Sequence, residues 1–510
     1  MKLNRTKNAK RNILFGILNK IVTLFFPFVI RMVMIRTIGA EYLGLGSLFQ
    51  SILQVLNITE LGFSSAVVYS MYKPIAEDDN VLLCAILNFF RKVYFVIGIV
   101  IFIIGLVLLP FLPRLIKGSY PSDINIYVLY LIYLIATVVS YILFAYKNSL
   151  VNAYQRFDVI SNTNTIVHLI TYSIQLVFII VTRNYYLYAI MLIVASIMQS
   201  MCVQIASKKM FPDIICKGKI TKEINSEIVV KVKGLFVNKL CKVSRNSFDS
   251  IFVSAFLGLT QTAIYNNYYY IMNSVIALLG VIIPSILAGV GNSVVTESQQ
   301  KNYADMKKFN FIYMWISGLC SIFLLCLYQP FTEIAFGKEM LFPFPVVILF
   351  CVYFYVLKMG DIRGLYSDAK GLWWENRFRS VTEASLNLFF NFILGKFFGV
   401  YGIIIATLIS LFFINFVWGS TILYKNYFTE IKISEYYLLH LLYFVITCFS
   451  ACITIIICSF LKLNGFLLLL TRFCICLVVP NLIYFLCYRW TKIYKENRSW
   501  ILNILRVGNK

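Results

Sequence analysis

Long apolar runs, each closed by a short cluster of charge, follow one another along this chain from about residue 13 to residue 488. Each is close to the roughly 20 mostly apolar residues that a helix needs to cross a bilayer. Read this way, the pattern predicts about fourteen spans. The first six fall at about 13–37, 42–70, 82–110, 124–146, 160–182 and 186–207. The next six fall at about 230–256, 263–292, 309–330, 341–362, 380–398 and 401–424, and the last two at about 436–460 and 464–488. No connection exceeds about 25 residues, which leaves no room for a soluble domain.

Composition agrees with the pattern. Of 510 residues, 60% are hydrophobic and 16% aromatic, with mean hydropathy +0.80. A water-soluble core could not hold that much apolar surface, whereas a bilayer takes it up, so the fold class is an all-α polytopic membrane protein. The 13 cysteines are mostly scattered singly through apolar runs and read as small hydrophobes, with no metal site and no disulfide framework. The basic N-terminus runs into an apolar stretch that carries Lys20 and Arg31 and lacks a small-residue cleavage site. It reads as a retained first span rather than a signal peptide.

The net charge of +24 raises the question of nucleic acid, and its distribution answers it. With the N-terminus inside, most of the 46 Lys and Arg residues fall in cytoplasmic segments. These include the loop KKMFPDIICKGKITKEINSEIVVKVK, the Lys301, Lys307 and Lys308 loop, and the tail with Lys492, Lys495 and Arg498. External segments hold few: Arg36, Arg114, Lys117, Arg183, Lys338, Lys396 and Lys462. The asymmetry puts both termini in the cytoplasm and explains the charge as topology, with anionic inner-leaflet lipids as partners and no nucleic acid.

What topology does not explain is basic residues inside spans: Lys20, Arg31, Lys239, Lys242, Arg245, Lys358 and Arg472. Each costs about 2.5–3.5 kcal/mol at a helix centre unless it snorkels, pairs, or faces water or an anion. Lys239, Lys242, Arg245 and Asp249 follow at helical steps and fall within an arc of about 120°. They form a candidate anion site, with snorkelling of Lys239 and an Arg245–Asp249 pair as the plainer account. Arg245 lies roughly 22 Å into its helix, too deep to reach the cytoplasmic surface. Lys20 and Arg31 return to within about 20° of one another on the first span, and either alone could snorkel. Lys358, with Asp361 and Arg363, sits near a cytoplasmic end and reads as interfacial, while Arg472 reads as a packing or lipid-head residue.

The phrase GILNK at 16–20 returns as LFVNK at 235–239, which sets Asn19-Lys20 219 residues before Asn238-Lys239. Gly39 and Gly258 share that offset, and Arg156-Phe157 precedes Arg377-Phe378 by 221. A common offset points to two homologous six-span halves. The expected organisation is an N-lobe at 1–208, a cytoplasmic linker at 209–229, a C-lobe at 230–425, and two extra spans with a cytoplasmic tail at 426–510. Parallel repeats of this kind place a substrate site between the lobes.

The stretch IRTIGAEYLGLGSLFQSILQVLNITELGFSSAVVYSMY (35–72) resembles the opening of the Wzx-like oligosaccharide flippases. These are polysaccharide repeat-unit transporters of the multidrug/oligosaccharidyl-lipid/polysaccharide exporter superfamily. The run NSFDSIFVSAFLGLTQTAIYNNYYYIMNSV (246–275), with Asp249 inside it, supports the resemblance. The resemblance implies a V-shaped pair of six-helix bundles that alternates access in the bacterial cytoplasmic (inner) membrane. The substrate it implies is an undecaprenyl-pyrophosphate-linked oligosaccharide, with the polymerase and chain-length regulator of the same pathway as partners.

The expected substrate-binding residues are therefore Lys20, Arg31, Lys239, Lys242 and Arg245, facing a pyrophosphate. Glu60 and Asp249 stand as ion-coupling or charge-pairing acids, which leaves H+ or Na+ coupling open and calls for no other cofactor. Asn266, Asn267 and Tyr269, in YNNYYY (265–270), offer sugar contacts, with an interfacial tyrosine belt as the alternative reading. His168 reads as a packing residue. No GxxxxGK[ST] or HExxH motif occurs, and no external loop could house glycosyl transfer, so the chain reads as a transporter and not an enzyme. The rivals are a cation-coupled drug or metabolite antiporter and a peptidoglycan-precursor flippase of the same superfamily. A membrane polysaccharide polymerase fits less well.

Overall fold

Apolar residues fill the helix interiors of this chain, and polar caps and glycines mark where helices stop. The computed structural model describes residues 5–57, 63–222, 226 and 247–507, and no strand occurs among them. Capping is local. The side chains of Asp79, Asn125, Asn184 and Ser298 each accept a backbone N–H from the first turn of the helix that follows.

The first compact unit spans residues 1–263. It contains α1 (Arg5–Thr37), α2 (Ala40–Leu56), α3 (Phe63–Ala76), α4 (Asn80–Leu108), α5 (Ile126–Ile142), α6 (Ala145–Ala153), α7 (Phe157–Val177), α8 (Tyr185–Met210) and α9 (Ser247–Leu257). Helix α1 lies along α7, α7 along α8, α8 along α5 and α5 along α4. The buried carboxylate of Asp158 takes Arg156 at 2.9 Å and the exposed Arg11 at 3.1 Å, while its backbone N–H donates to Asn12 Oδ1. The next helix, α10 (Leu259–Leu279), begins in this unit and runs into the second.

The two glycines of the sequence repeat occupy like places. Gly39 breaks α1 from α2 at φ +117°, and Gly258 breaks α9 from α10 at φ +88°, a region costly for any residue with a Cβ. Gly258 is also crowded, since a Cβ there would lie 2.8 Å from the Lys117 carbonyl oxygen. The third repeat landmark marks helix starts: Arg156 caps α7, and Arg377 opens α15 (Arg377–Ile409).

The second unit spans residues 264–510. Besides α15 it holds α11 (Ile282–Thr296), α12 (Gln299–Phe336), α13 (Phe344–Met359), α14 (Asp361–Lys370), α16 (Gly419–Asn426), α17 (Ile433–Ser459), α18 (Gly465–Tyr488) and α19 (Lys492–Val507). Helix α12, 38 residues long, is the shared neighbour of α13, α17 and α18. The last two long helices therefore pack into this unit.

Among the described residues ten helices are long and apolar enough to cross a membrane, or eleven if the bent pair α5–α6 is one span, so the expected fourteen is an approximation. Three features account for the difference from eleven. The stretch Arg377–Asn426 is one continuous apolar element that doubles back at Gly399 (φ 58°, ψ −134°), covering the two spans expected at 380–398 and 401–424. The span expected at 42–70 falls on α2 and α3, either side of residues 58–62, and that expected at 230–256 is described only from residue 247, as α9.

Candidate functional site

Two cations of the expected anion site lie on α1, and they differ. Asn19 turns inward, donating from Nδ2 to the Ser161 carbonyl at 3.2 Å and to Thr165 Oγ1 at 3.3 Å on α7. Its neighbour Lys20 is exposed. Arg31 is half-buried in the first unit, where its charge reaches Tyr133, Tyr185 and Tyr188. Tyr133 and Tyr185 share a hydrogen bond of 2.9 Å, and both hydroxyls press on Gly46, where a Cβ would meet them at 2.9 and 2.4 Å. The stripe drawn from helix geometry thus separates into an exposed lysine and an arginine seated beside a tyrosine cluster.

Lys239, Lys242, Arg245 and Glu60 lie outside the described residues. Asp249 lies on α9 and is buried, at 1% exposure. Around it Ser247, Ser250 and Ser254 are buried too, so α9 carries an unusual share of polar side chains into the first unit. Ser247 Oγ donates to Gln54 Oε1 at 3.2 Å, and Ser254 Oγ donates to the Leu115 carbonyl at 2.8 Å.

In YNNYYY two of the four rings go inward. Tyr265 and Tyr268 are buried in the second unit, so an interfacial belt does not describe them. The Tyr268 hydroxyl accepts the Phe342 N–H at 3.2 Å, and Tyr328 donates to the Tyr268 carbonyl at 3.1 Å. Asn267 has no exposed surface in this conformation, whereas Asn266 and Tyr269 are half-buried and keep some. His168 stacks on Tyr172, with ring centroids 5.0 Å apart, in the packing role expected of it.

The sequence pattern missed a polar network inside the second unit. Lys358 and Arg363, expected at the interface, are each only 4% exposed. Lys358 Nζ pairs with Asp361 at 2.8 Å, and the Tyr313 hydroxyl donates to the same carboxylate. Arg363 donates to Asn415 Oδ1 at 3.1 Å, Asn415 donates to Glu383 at 2.9 Å, and Arg379 pairs with Glu383 at 2.8 Å. Gly419 makes room for the guanidinium, because a Cβ there would sit 2.1 Å from Arg363 Nη1. Further along α15, Asn387 donates to Thr407 Oγ1 at 3.0 Å, and Asn391 donates to Asn387 Oδ1 at 3.3 Å. Glu383, Asn387 and Asn391 recur every four residues, which is one face of a helix; that spacing was the available signal.

No protein-family model and no curated protein sequence matches the chain. Solved structures do. An inward-facing multidrug-resistance MATE transporter of the MOP superfamily aligns with TM-score 0.62 at 13% identity, over 80% of this chain and 97% of its own. The lipid II flippase MurJ, in an inward closed conformation, also gives 0.62, at 16% identity over 94% of this chain and 99% of its own. A MOP superfamily transporter from Pyrococcus furiosus, described as having a binding pocket of reverse polarity, gives 0.52 at 13% identity over 81% of this chain. The chain has the fold of these transporters. It is a multi-pass membrane protein, and the exposed apolar side chains along α4, α17 and α18 are the surface a bilayer covers.

Proposed function

We propose that this chain is a flippase for undecaprenyl-pyrophosphate-linked oligosaccharides, working by alternating access in the bacterial cytoplasmic membrane with both termini inside. The observation that carries the reading is the joining of this fold to intramembrane cations. The likeness to a flippase of a lipid-linked substrate runs over 94% of the chain, and the chain spends Lys20, Arg31, Lys239, Lys242 and Arg245 within apolar runs. In hydrocarbon such cations call for water, a paired acid or an anion, and a pyrophosphate esterified at both ends supplies two negative charges where water is scarce. The polyprenyl tail stays in lipid while the sugar passes through water. Glu60 and Asp249 are the acids available for H+ or Na+ coupling, and Asn266 and Tyr269 retain surface for sugar hydroxyls.

A lipid II flippase is the second reading, favoured by the same structural likeness and the same anion chemistry. A drug antiporter fits less well, since a cationic drug calls for an acid-rich site.

The test is charge removal in cells. Lys239→Ala, Arg245→Ala and Lys20→Ala should each abolish or strongly reduce surface polysaccharide while the protein remains at wild-type abundance in the membrane. Lipid-linked repeat units should accumulate on the cytoplasmic leaflet. Normal surface polysaccharide in all three variants would sink the proposal, and complementation of a lipid II flippase deletion by the wild-type chain would select the second reading.

A further inference from the structure

Three cysteines from three helices meet inside the second unit. Cys326 of α12, Cys458 of α17 and Cys476 of α18 are all buried, and their sulfur atoms lie within 4.8 Å of one another. Among the described residues no other trio of His, Cys, Asp or Glu side chains comes together in this way. Arg472, one turn before Cys476 on α18, joins them. Its Nη1 donates to the Cys326 carbonyl at 3.1 Å, and its Nε has no hydrogen-bond partner among the described residues. Its charge reaches both Cys458 and Cys476.

A buried cysteine by itself is a small hydrophobe, and that suffices for Cys351. It does not suffice here, because apolar packing gives no reason for a guanidinium beside the sulfurs, at an insertion cost of about 2.5–3.5 kcal/mol. Thiolates do give one. A metal about 2.3 Å from each of three sulfurs sets them about 4.0 Å apart, so a contraction of under about 1 Å closes the site. Soft thiolates suit both copper(I) and zinc, but structural zinc takes four ligands, and among the described residues no fourth is grouped with these three, which favours copper(I).

We propose that Cys326, Cys458 and Cys476 form a three-thiolate site for copper(I), with Arg472 as its counter-charge. Binding takes one Cu+ and releases three protons from the three thiols, with no change of oxidation state. The bound complex carries charge −2, which Arg472 brings to −1. The ion ties α17 and α18 to α12, fixing the C-terminal pair to the rest of its unit.

The experiment uses the full-length chain in detergent, reduced and anaerobic, with Cu(I) supplied from a bicinchoninate buffer. One copper per chain should survive desalting, and its X-ray absorption should show a shell of about three sulfurs at about 2.3 Å. Cys326→Ser, Cys458→Ser and Cys476→Ser should each weaken retention by about tenfold or more, as expected for loss of a ligand. Cys474→Ser, at an exposed position of the same helix, should leave it unchanged. Where a serine variant fails to fold, the wild-type protein still decides: bound Cu(I) should protect these three thiols from alkylation, read by mass spectrometry. The proposal is overturned by a shell with nitrogen or oxygen ligands, by alkylation of all three thiols in the loaded protein, or by retention of Zn2+ in preference to Cu(I).

Discussion

Asn19 and Lys20 are adjacent in sequence, yet they serve different ends. On a helix, neighbours point about 100° apart, so only one of the two can face α7. Asn19 does, bridging to Ser161 and Thr165, and Lys20 is left exposed. The pair should therefore separate in experiment. Asn19→Leu removes two interhelical hydrogen bonds, while Thr165 keeps its own bond to the Ser161 carbonyl. It should lower stability by about 1 kcal/mol. Lys20→Ala should change stability by less than about 0.5 kcal/mol. Thermal unfolding in detergent, followed by size-exclusion fluorescence, measures both. Equal losses in the two variants would show that Lys20 carries structure and not transport.

At the scale of the element, α15 shows how one helix face becomes a site. Glycine at 399 lets the chain turn back, and Gly402 lets the returning segment press on the Leu394 carbonyl, where a Cβ would lie 1.9 Å away. The polar residues of α15 are thereby closed in against Thr407, Ser410 and Asn415 rather than left facing lipid. The network has little slack, since Glu383 is partner to Arg379 and Asn415, and Asn415 in turn holds Arg363. Glu383→Ala strands buried cationic groups and should cost about 3–5 kcal/mol, whereas Glu383→Gln keeps an acceptor for Asn415 and should cost less. The readout is the thermal midpoint and the monodisperse fraction after extraction. Alanine and glutamine variants of equal, near-native stability would show that the charge contributes nothing.

At the scale of the whole molecule, what matters is which ends and loops face the cytoplasm. Positive charge predicts it. By that rule the start of α12, with Lys301, Lys307 and Lys308, should lie inside, and the connection carrying Arg114 and Lys117 outside. Ser119 and Glu297 are both exposed and lie in these two regions. A cysteine at Ser119 should react with a membrane-impermeant maleimide on intact cells, above the labelling of the unmodified chain. A cysteine at Glu297 should react only after permeabilisation. The opposite pattern would invert the topology, and with it the proposed direction of transport.

The sequence alone determined the class of the molecule, because a bilayer's thickness writes itself into run length, and backbone hydrogen bonding in hydrocarbon permits only helices for such runs. It also marked where helices break, since Gly39 and Gly258 take backbone angles that glycine alone adopts cheaply. Periodicity placed Lys20 and Arg31 on one stripe, but it carries no information about neighbours. Only the tertiary structure decided that Arg31 sits by three tyrosines, that Lys358 and Arg363 are buried in a polar network, and that Tyr265 and Tyr268 are core. The same holds for Cys326, Cys458 and Cys476. They are up to 150 residues apart and meet because α12 packs with both α17 and α18. A local pattern reports the direction a side chain leaves its helix; what waits there is fixed by contacts distant in sequence.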